Sequence, residues 1–218
     1  MMVESRLLKK DLFGEIRAVT CGDDVRLVRD AGVARPGLRW LARRLLRREA
    51  RALAALDGID GFPALLDLSK DRLERRFLAG MPMHLARPRD PRYFKAAAAL
   101  LRRLHRAGVV HNDLAKEPNL LVTNDGRPAF IDFQLAWHTR RRGRLFRLLA
   151  HEDLRHLLKH KRSYRPDLLT GRELAILAHP SWPSRIWMRT VKPVYLLVTR
   201  RLLGWADREG AGDRGESR

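Results

Sequence analysis

The feature that most constrains this chain is a dense block of polar side chains around two short apolar runs, at residues 111–134. The block starts His-Asn-Asp-Leu-Ala-Lys-Glu-Pro-Asn, runs into Leu-Leu-Val, turns at Asn-Asp-Gly and closes with Ala-Phe-Ile-Asp-Phe-Gln. Two apolar runs joined by such a turn predict a β-hairpin. Asp113 and Asn119 come before this hairpin and Asp132 comes after it, so we expect the three oxygen-bearing side chains to converge.

Oxygen ligands in this order suit a site that transfers phosphate. Such a site needs a carboxylate beside the acceptor hydroxyl, here Asp113, and an Asp and an Asn that hold Mg²⁺, here Asp132 and Asn119. Lys116 is expected to neutralise the γ-phosphate during transfer, as a point charge. Taken alone, Asp113 could be a turn or capping residue and Lys116 a solvated lysine. The combination predicts a kinase that uses ATP and Mg²⁺, in which His111 fixes the loop through a backbone hydrogen bond.

The N-terminal part of the chain predicts a small sheet and one long helix. Strands are expected at residues 16–19, 25–29, 64–68 and 73–78. The helix is expected over 38–56, with an apolar face that consists of Leu41, Leu45, Leu53 and Leu56. A connector follows near residue 80, where the composition changes.

Glu49 falls on the apolar face of this otherwise basic helix. A buried glutamate is destabilising unless a positive side chain meets it. Arg29, at the end of a predicted strand, is the expected partner, and together the two are expected to position the α- and β-phosphates. An ordinary structural ion pair is the alternative role, and Arg26 is the alternative partner if the strand faces the other way.

The second half of the chain is predicted to be mainly helical. A helix over 93–107 ends at Gly108, and its buried face is expected to contain Tyr93, Ala97, Leu100, Leu101 and Leu104. From residue 150 onward the sequence is mostly helical. The predicted fold is therefore α+β with two lobes: an N-terminal lobe at 1–80, a C-terminal catalytic lobe at 81–180 and a basic amphipathic extension at 181–218.

The charge of the chain points to anionic partners. It has 45 Lys and Arg residues against 25 Asp and Glu residues, which gives a formal net charge of +20 and a pI near 11.4. Such a surplus attracts nucleic acid, anionic lipid or phosphorylated glycan, although a genome that prefers arginine would explain part of it. The single Cys21 excludes an internal disulfide. No signal peptide is recognisable, so a cytoplasmic protein is expected.

Two features of the C-terminal region leave alternatives open. An apolar stripe with arginine and lysine around it is formed by Trp187, Val191, Val194, Val198, Leu202 and Trp205. This stripe fits a helix on the inner face of a membrane, or a helix packed on the helical lobe. His151, His156 and His160 are expected on a solvated helix face rather than in a metal site.

The motifs resemble those of the protein-kinase-like superfamily. Residues 111–113 stand where that family has His-Arg-Asp, residues 132–134 where it has Asp-Phe-Gly, and Arg29 and Glu49 at the places of its strand lysine and helix glutamate. The short chain and the run 104–111 look closest to small bacterial lipopolysaccharide-core sugar kinases and RIO-like serine/threonine kinases. The resemblance implies Leu121 beneath the adenine, and an acceptor that is a glycolipid-core sugar or a protein.

Four departures from the family pattern motivate alternatives. Asp113 and Asn119 lie one residue further apart than in the family, with the extra residue within 115–118. Arginine replaces the strand lysine, Gln134 replaces the glycine, and no Ala-Pro-Glu segment follows. These departures favour a catalytically impaired pseudokinase that serves as a binding module, whereas a second alternative, a RIO-like ATPase on ribosomal particles, is motivated by the positive charge. Nucleic acid is the less favoured partner.

Overall fold

The N-terminal part of the chain forms a five-stranded antiparallel sheet in the computed structural model, which describes residues 3–22 and 24–178. The strands are β1 (Val3–Asp11), β2 (Gly14–Cys21), β3 (Asp24–Asp30), β4 (Leu65–Leu68) and β5 (Arg72–Arg76). Their order in the sheet is β1–β2–β3–β5–β4. The four predicted strands are present, and β1 is an addition. Residues 4–10 of β1 are exposed, so this strand lacks the buried apolar face that would have revealed it.

Gly14 begins β2 directly after the β1–β2 turn, with a positive φ of 128°. A Cβ atom there would lie 2.0 Å from the Asp30 carbonyl oxygen. Glycine is therefore required for the close approach of this turn to the end of β3. Phe13, in the turn itself, packs against the core beneath the sheet.

The predicted helix is present as α1 (Arg39–Ala55) and packs against the sheet, and of its predicted apolar face Leu53 and Leu56 are buried. Leu41 and Leu45 are half-buried, whereas Leu46 is fully buried. The buried residues of the helix are Ala42, Leu46, Glu49, Ala50, Ala52 and Leu53. The expectation that Leu41 and Leu45 belong to the buried face is thus wrong, because Leu46 packs into the core between the small side chains of Ala42 and Ala50. Glu49 is buried, as expected.

The rest of the described chain is mainly helical, with short strand pairs. Its elements are β6 (Met81–Pro82), α2 (Met83–Ala86), α3 (Pro91–Arg106), β7 (Val109–Val110), β8 (Leu120–Val122), β9 (Pro128–Phe130), β10 (Trp137–His138), α4 (Arg144–Tyr164) and α5 (Gly171–Ala178). Strands β6, β8 and β9 form one sheet, and β10 pairs with β7. The predicted hairpin is β8–β9.

The predicted helix over 93–107 corresponds to α3, and its expected buried face is confirmed. Asp90 caps the start of α3 by accepting a hydrogen bond from the Arg92 backbone N–H, and Pro91 occupies the first turn. Gly108, with a φ of 75°, follows the end of the helix. Helix α4 starts at Arg144, earlier than the predicted residue 150.

Two groups of buried apolar residues follow each other along the buried face of α1. The smaller lies under the N-terminal sheet and includes Leu46 and Leu73. The larger fills the helical half and takes Leu53 and Leu56 from the end of the helix. Helix α1 therefore connects the sheet to the rest of the molecule.

The predicted extension 181–218, with its tryptophan stripe, lies outside the described residues. Among the helices of the described part, none is long and apolar enough to cross a lipid bilayer. The domain boundaries at 80 and 180 stay predictions.

Candidate active site

The loop 111–119, between β7 and β8, is held from below by Asp153 of α4. Asp153 is buried, and its two carboxylate oxygens accept hydrogen bonds from the backbone N–H groups of His111 (2.7 Å) and Asn112 (2.9 Å). The buried His111 ring donates from Nε2 to the Ile131 carbonyl at 3.0 Å. The backbone hydrogen bond expected of His111 is thus present, and it joins this loop to the end of β9. Asn112 has a positive φ of 63°, a strained conformation that Asp153 helps to maintain.

Asp113 lies at the centre of the loop with two polar partners. Asn119 donates from Nδ2 to the Asp113 carboxylate and to its backbone carbonyl, both at 2.9 Å. The Lys116 Nζ atom is 3.3 Å from the same carboxylate. Burial raises the pKa of Asp113, and the positive charge of Lys116 and the Asn119 hydrogen bond offset part of that rise.

The extra residue of the loop is taken up between Asp113 and Asn119, as the spacing predicted. A 3₁₀ turn spans Glu117–Asn119, and Tyr164 of α4 donates a hydrogen bond to the Glu117 carboxylate at 2.5 Å. Because the additional length turns toward α4, Asn119 still reaches Asp113. The longer spacing therefore leaves the two side chains in contact.

His160 also supports this loop, which corrects the expectation of a solvated histidine face. Its ring is buried and donates from Nε2 to the Leu114 carbonyl at 2.8 Å. Burial lowers the pKa of His160, so the neutral ring is favoured. The sequence spacing indicates this burial, because Asp153, Leu157 and His160 follow each other at intervals of four and three residues and so share one helix face.

Asp132 follows β9 and comes next to Asn119 through the backbone. The Ile131 N–H donates to the Asn119 carbonyl at 3.0 Å, which places residue 132 beside residue 119. Asp132 has a positive φ of 64°, and its Oδ1 atom accepts a hydrogen bond from Gln134 Nε2 at 3.0 Å. Gln134, at the place of the family's glycine, thus orients the carboxylate.

The charge of Asp132 is maintained by arginines on the sheet. Burial alone would raise the pKa of Asp132, but Arg29 and Arg75 and the Gln134 hydrogen bond together hold it below the usual value. The closest Arg29 nitrogen is 3.9 Å from Asp132 Oδ1. Asp132 is therefore ionised at neutral pH. The raised pKa of Asp113 makes its carboxylate the stronger base of the two.

Glu49 of α1 has two arginine partners rather than one. Its Oε2 atom is 3.3 Å from Arg29 Nε, which is the predicted pair, and its Oε1 atom is 3.2 Å from Arg75 Nε. The alternative partner Arg26 pairs with Asp24 instead. Glu49 is completely buried, and neither of its oxygens has an aligned hydrogen bond in the described structure, so its charge depends on the two guanidinium groups.

Arg75 was missed by the sequence analysis, although a signal for it existed. In the register of the sheet, Arg29 pairs with Leu73 and Leu27 pairs with Arg75. Residues opposite each other in an antiparallel pair share a face, so all four side chains point toward α1. The alternation along β5 places Arg75 on the same face as the fully buried Leu73.

Comparison with known proteins now bears on this geometry. Residues 35–141 match the model of the phosphotransferase enzyme family APH, and this stretch holds Glu49, Asp113, Asn119 and Asp132. The Rio2 kinase of Chaetomium thermophilum has a similar fold, with a TM-score of 0.59 and 16% identity. The family match and the fold likeness together support the assignment to the protein-kinase-like superfamily. The predicted two-lobed α+β, kinase-like fold is confirmed, and the family match supports the predictions of this superfamily and of a phosphotransferase.

The Rio2 likeness covers 78% of this chain and 59% of that kinase, so the chain spans less than two thirds of its structural neighbour. A second structure of the same Rio2 kinase, a complex with ADP, Mg²⁺ and phosphoaspartate, has a TM-score of 0.58 at 16% identity and covers 78% of this chain and 58% of that one. At this identity the likeness concerns the fold. A search of curated proteins finds no match to the sequence.

Within this kinase-like fold, the oxygen donors suit a divalent ion that also binds phosphate. Hydrogen bonds from the described residues engage Nδ2 of Asn119 and Oδ1 of Asp132, which leaves Asn119 Oδ1 and Asp132 Oδ2 as acceptors. These are hard oxygen ligands of the kind that Mg²⁺ prefers. No cluster of three or more His, Cys, Asp or Glu side chains that could hold a metal occurs in residues 3–22 and 24–178. The residues present therefore fit Mg²⁺ when a nucleotide supplies further ligands.

The floor of the kinase-like site is apolar. Phe133 is fully buried, with its ring centroid 4.7 Å from that of His111 and 5.9 Å from that of Phe62. Leu121 is buried in β8, and a Cβ atom on Gly80 would lie 3.2 Å from the Leu121 Cβ and 2.9 Å from a β8 carbonyl. Glycine thus lets the connector pass close to β8. The place of Leu121 beneath an adenine stays a prediction.

Asp153 is the second functional residue that the sequence analysis missed. It lies seven residues after the buried Phe146 and four before the buried Leu157, so helical periodicity puts it on the inner face of α4. A carboxylate at such a position needs buried donors. The donors are two backbone groups of a distant loop, which the sequence does not identify, and Nε2 of His105 on α3 lies 3.2 Å from the Asp153 carboxylate.

Proposed function

We propose that this protein is an ATP- and Mg²⁺-dependent kinase that transfers the γ-phosphate to a hydroxyl group. The observation that supports this most directly is the convergence of Asp113, Asn119 and Asp132, which are linked by the Asn119 side chain and backbone. Their order and chemistry correspond to the needs of phosphoryl transfer, where positioning and charge neutralisation supply most of the catalysis.

Asp113 is the group that would contact the acceptor. Its carboxylate accepts the hydrogen bond of the acceptor hydroxyl, orients the oxygen for in-line attack, and takes the proton as the bond to phosphorus forms. The Asn119 hydrogen bond holds the carboxylate in place for this role. Lys116, which is half-exposed beside Asp113, is placed to offset negative charge on the transferred group.

Arg29, Asn119 and Asp132 would serve the nucleotide. When bound, Mg²⁺ neutralises charge on the ATP phosphates, and Asp132 and Asn119 are the residues that would hold it. Arg29 has one guanidinium nitrogen near Glu49 and another near Asp132. It is therefore directed toward the metal-binding carboxylate, and a guanidinium can contact two phosphate oxygens at once.

We further infer that the acceptor is the sugar of an anionic glycolipid core rather than a protein Ser or Thr. Twelve residues, 133–144, lead from Asp132 to the first residue of α4, and no Ala-Pro-Glu segment lies among them. This leaves little chain for the platform on which kinases of the eukaryotic type bind protein substrates. The net charge of +20 favours an anionic acceptor, and we propose that the protein works in the cytoplasm at the inner membrane face.

Two isosteric or truncated variants test the catalytic assignment. Asp113→Asn should lose ATP turnover and keep Mg²⁺-dependent ATP binding, whereas Asp132→Ala should lose both. Binding is measured by thermal shift with ATP, with and without Mg²⁺. The control is Asp125→Asn, which changes an exposed aspartate at the β8–β9 turn and should leave turnover unchanged. Unchanged turnover in either site variant would rule out the assignment.

The main rival is a pseudokinase, favoured by the replacement of the strand lysine by Arg29 and by the ion pair of that arginine with the buried Glu49. A nucleotide-dependent shift without any turnover would support this rival. The acceptor class is tested by incubating the protein with ATP and either a cell-envelope glycolipid extract or a protein extract. Mass spectrometry should find the added phosphate on a glycolipid sugar, and phosphate on protein alone would contradict the glycolipid assignment.

A further inference from the structure

The outward face of α1 carries a continuous cationic stripe that the phosphate-transfer site does not use. Trp40, Arg44, Arg47 and Arg51 are all exposed. They are spaced by four, three and four residues, which places them in one line along the helix. Trp40 is 65% exposed, more than any other large apolar side chain in the described residues. Arg39, also exposed, lies next to it.

Other arginines of the same helix have partners within the protein, and this comparison sets the stripe apart. Arg43 forms an ion pair with Asp71 at 2.5 Å, and Arg48 donates to the backbone carbonyls of Leu135 (2.9 Å) and Ala136 (3.2 Å). No ion pair among residues 3–22 and 24–178 involves Arg44, Arg47 or Arg51.

This arrangement opposes the stability of the helix by itself. Like charges three and four residues apart repel each other, as Arg44, Arg47 and Arg51 do. The first turn of α1 has no acidic residue and starts with Arg39, which is unfavourable beside the positive end of the helix dipole. A solvated helix face in a typical protein mixes both signs of charge. A negatively charged surface laid along the stripe would remove these unfavourable interactions.

We propose that the stripe formed by Trp40, Arg44, Arg47 and Arg51 binds the surface of an anionic lipid bilayer. A tryptophan ring prefers the level of the lipid headgroups, and arginines along the same line can contact their phosphates. Val33, in the loop that leads into α1, is a further exposed apolar side chain. A single-stranded nucleic acid fits less well, because its bases stack on aromatic rings repeated along a cationic track. The stripe has a single aromatic ring, that of Trp40, and its other three members are arginines.

The stripe and the phosphate-transfer site occupy opposite faces of α1. Glu49, which pairs with Arg29, is on the buried face, whereas the arginines of the stripe point away from it. Attachment through the stripe therefore leaves Glu49 and its partners unobstructed. The binding proposal does not depend on catalysis, so its failure and the failure of the proposed kinase activity are separate results.

The test uses the full chain and two triple variants that remove the same charge. One variant is Arg44→Gln, Arg47→Gln and Arg51→Gln. The control is Arg140→Gln, Arg141→Gln and Arg144→Gln, which changes three exposed arginines after β10. Binding to vesicles of phosphatidylcholine, with and without phosphatidylglycerol, is measured by co-sedimentation. Thermal unfolding checks the fold, and the stripe variant should unfold at the same or a higher temperature because repulsion is relieved.

We expect the wild type to prefer the anionic vesicles and the stripe variant to lose about fivefold in partitioning per arginine, on the order of 100-fold in total. The control should lose less than a tenth as much. Trp40→Ala should weaken binding to the same vesicles. If the triple variant does not fold, Arg47→Gln carries the test, with an expected fivefold loss. Equal losses in the stripe and control variants would overturn the proposal, as would a stripe variant that loses binding to single-stranded RNA while keeping its vesicle binding.

Discussion

The Nε atom of Arg75 lies 3.2 Å from the Oε1 atom of Glu49, in a region where both side chains are buried. Desolvation lowers the pKa of Arg75, and the negative charge of Glu49 opposes that effect. The pair leaves the other oxygen of Glu49 to Arg29. Arg75 is therefore a positioning residue that acts on the site through Glu49.

Arg75→Met should destabilise the protein and weaken catalysis. Removal of one partner from a buried ion pair costs about 3–5 kcal/mol when the remaining charge has no other partner, and we expect a smaller cost here because Arg29 still pairs with Glu49. The free energy of unfolding is measured by urea titration, and kcat/KM for ATP should fall by at least about tenfold. The control is Arg76→Met, the next residue, which is exposed and opposite Arg26 in the sheet. It should change stability by about 0.5 kcal/mol or less. Similar urea midpoints for the two variants would contradict the role of Arg75.

Lys116→Met should shift the acid limb of the pH–rate profile to higher pH. Asp113 must be ionised to accept a proton, and burial raises its pKa above the ordinary value of 3.8. Lys116 lowers that pKa, so without its charge the carboxylate ionises at higher pH. The profile of kcat/KM is recorded for wild type, for Lys116→Met and for Lys95→Met, an exposed lysine on α3. A limb that stays in place in Lys116→Met would contradict the coupling.

Asp153→Asn should loosen the loop that carries Asp113. An asparagine retains one acceptor oxygen, so one of the two backbone N–H groups, of His111 or of Asn112, loses its partner. An unsatisfied buried donor costs about 1–3 kcal/mol, and more when the lost partner was charged. We expect kcat to fall more than ATP affinity, because the loop displaces Asp113 while the residues that bind the nucleotide keep their positions. Asp167→Asn, at an exposed ion pair, is the control. Equal loss of kcat and ATP affinity would indicate general unfolding instead.

His156 should make the protein sensitive to mild acid. Burial lowers its pKa to about 4 in the folded protein, against about 6.5 in an unfolded chain. The unfolded chain therefore binds the proton first as pH falls, so stability is fully present above pH 6.5 and declines from 6.5 toward 4. Between pH 7 and pH 5 the contribution is about 2 kcal/mol. In urea titrations, the free energy of unfolding of His156→Gln should fall by about 2 kcal/mol less than that of the wild type between pH 7 and pH 5. Parallel losses in variant and wild type would refute the assignment.

Much of the candidate site was predictable because it lies within one short stretch of sequence. The carboxylates Asp113 and Asp132 and the amide of Asn119 are separated by a hairpin whose turn is encoded locally. The Arg29–Glu49 pair was predictable for a different reason. A glutamate on an apolar helix face requires a cation, and the nearest predicted strand offered one.

What could not be predicted depends on packing between distant elements. Two of the partners of Asp153 are backbone groups of a loop about forty positions earlier, and backbone groups carry no sequence signature. The inward face of α1 contains alanines as well as leucines, so the spacing of the leucines alone does not predict it. Arg75 was the avoidable omission, since alternation with Leu73 along one strand places it inside.

Helix α1 contributes buried side chains to both groups of core residues, Leu46 to the group under the sheet and Leu53, two turns later, to the group in the helical half. The sheet that carries Arg29 and the helical half that carries Asp113 therefore both pack against this helix. A tilt of the sheet relative to the helical half would have to bend α1 or disrupt its contacts with one of the two core groups. The packing of this helix therefore sets the distance between Arg29, on the nucleotide side, and Asp113, on the acceptor side.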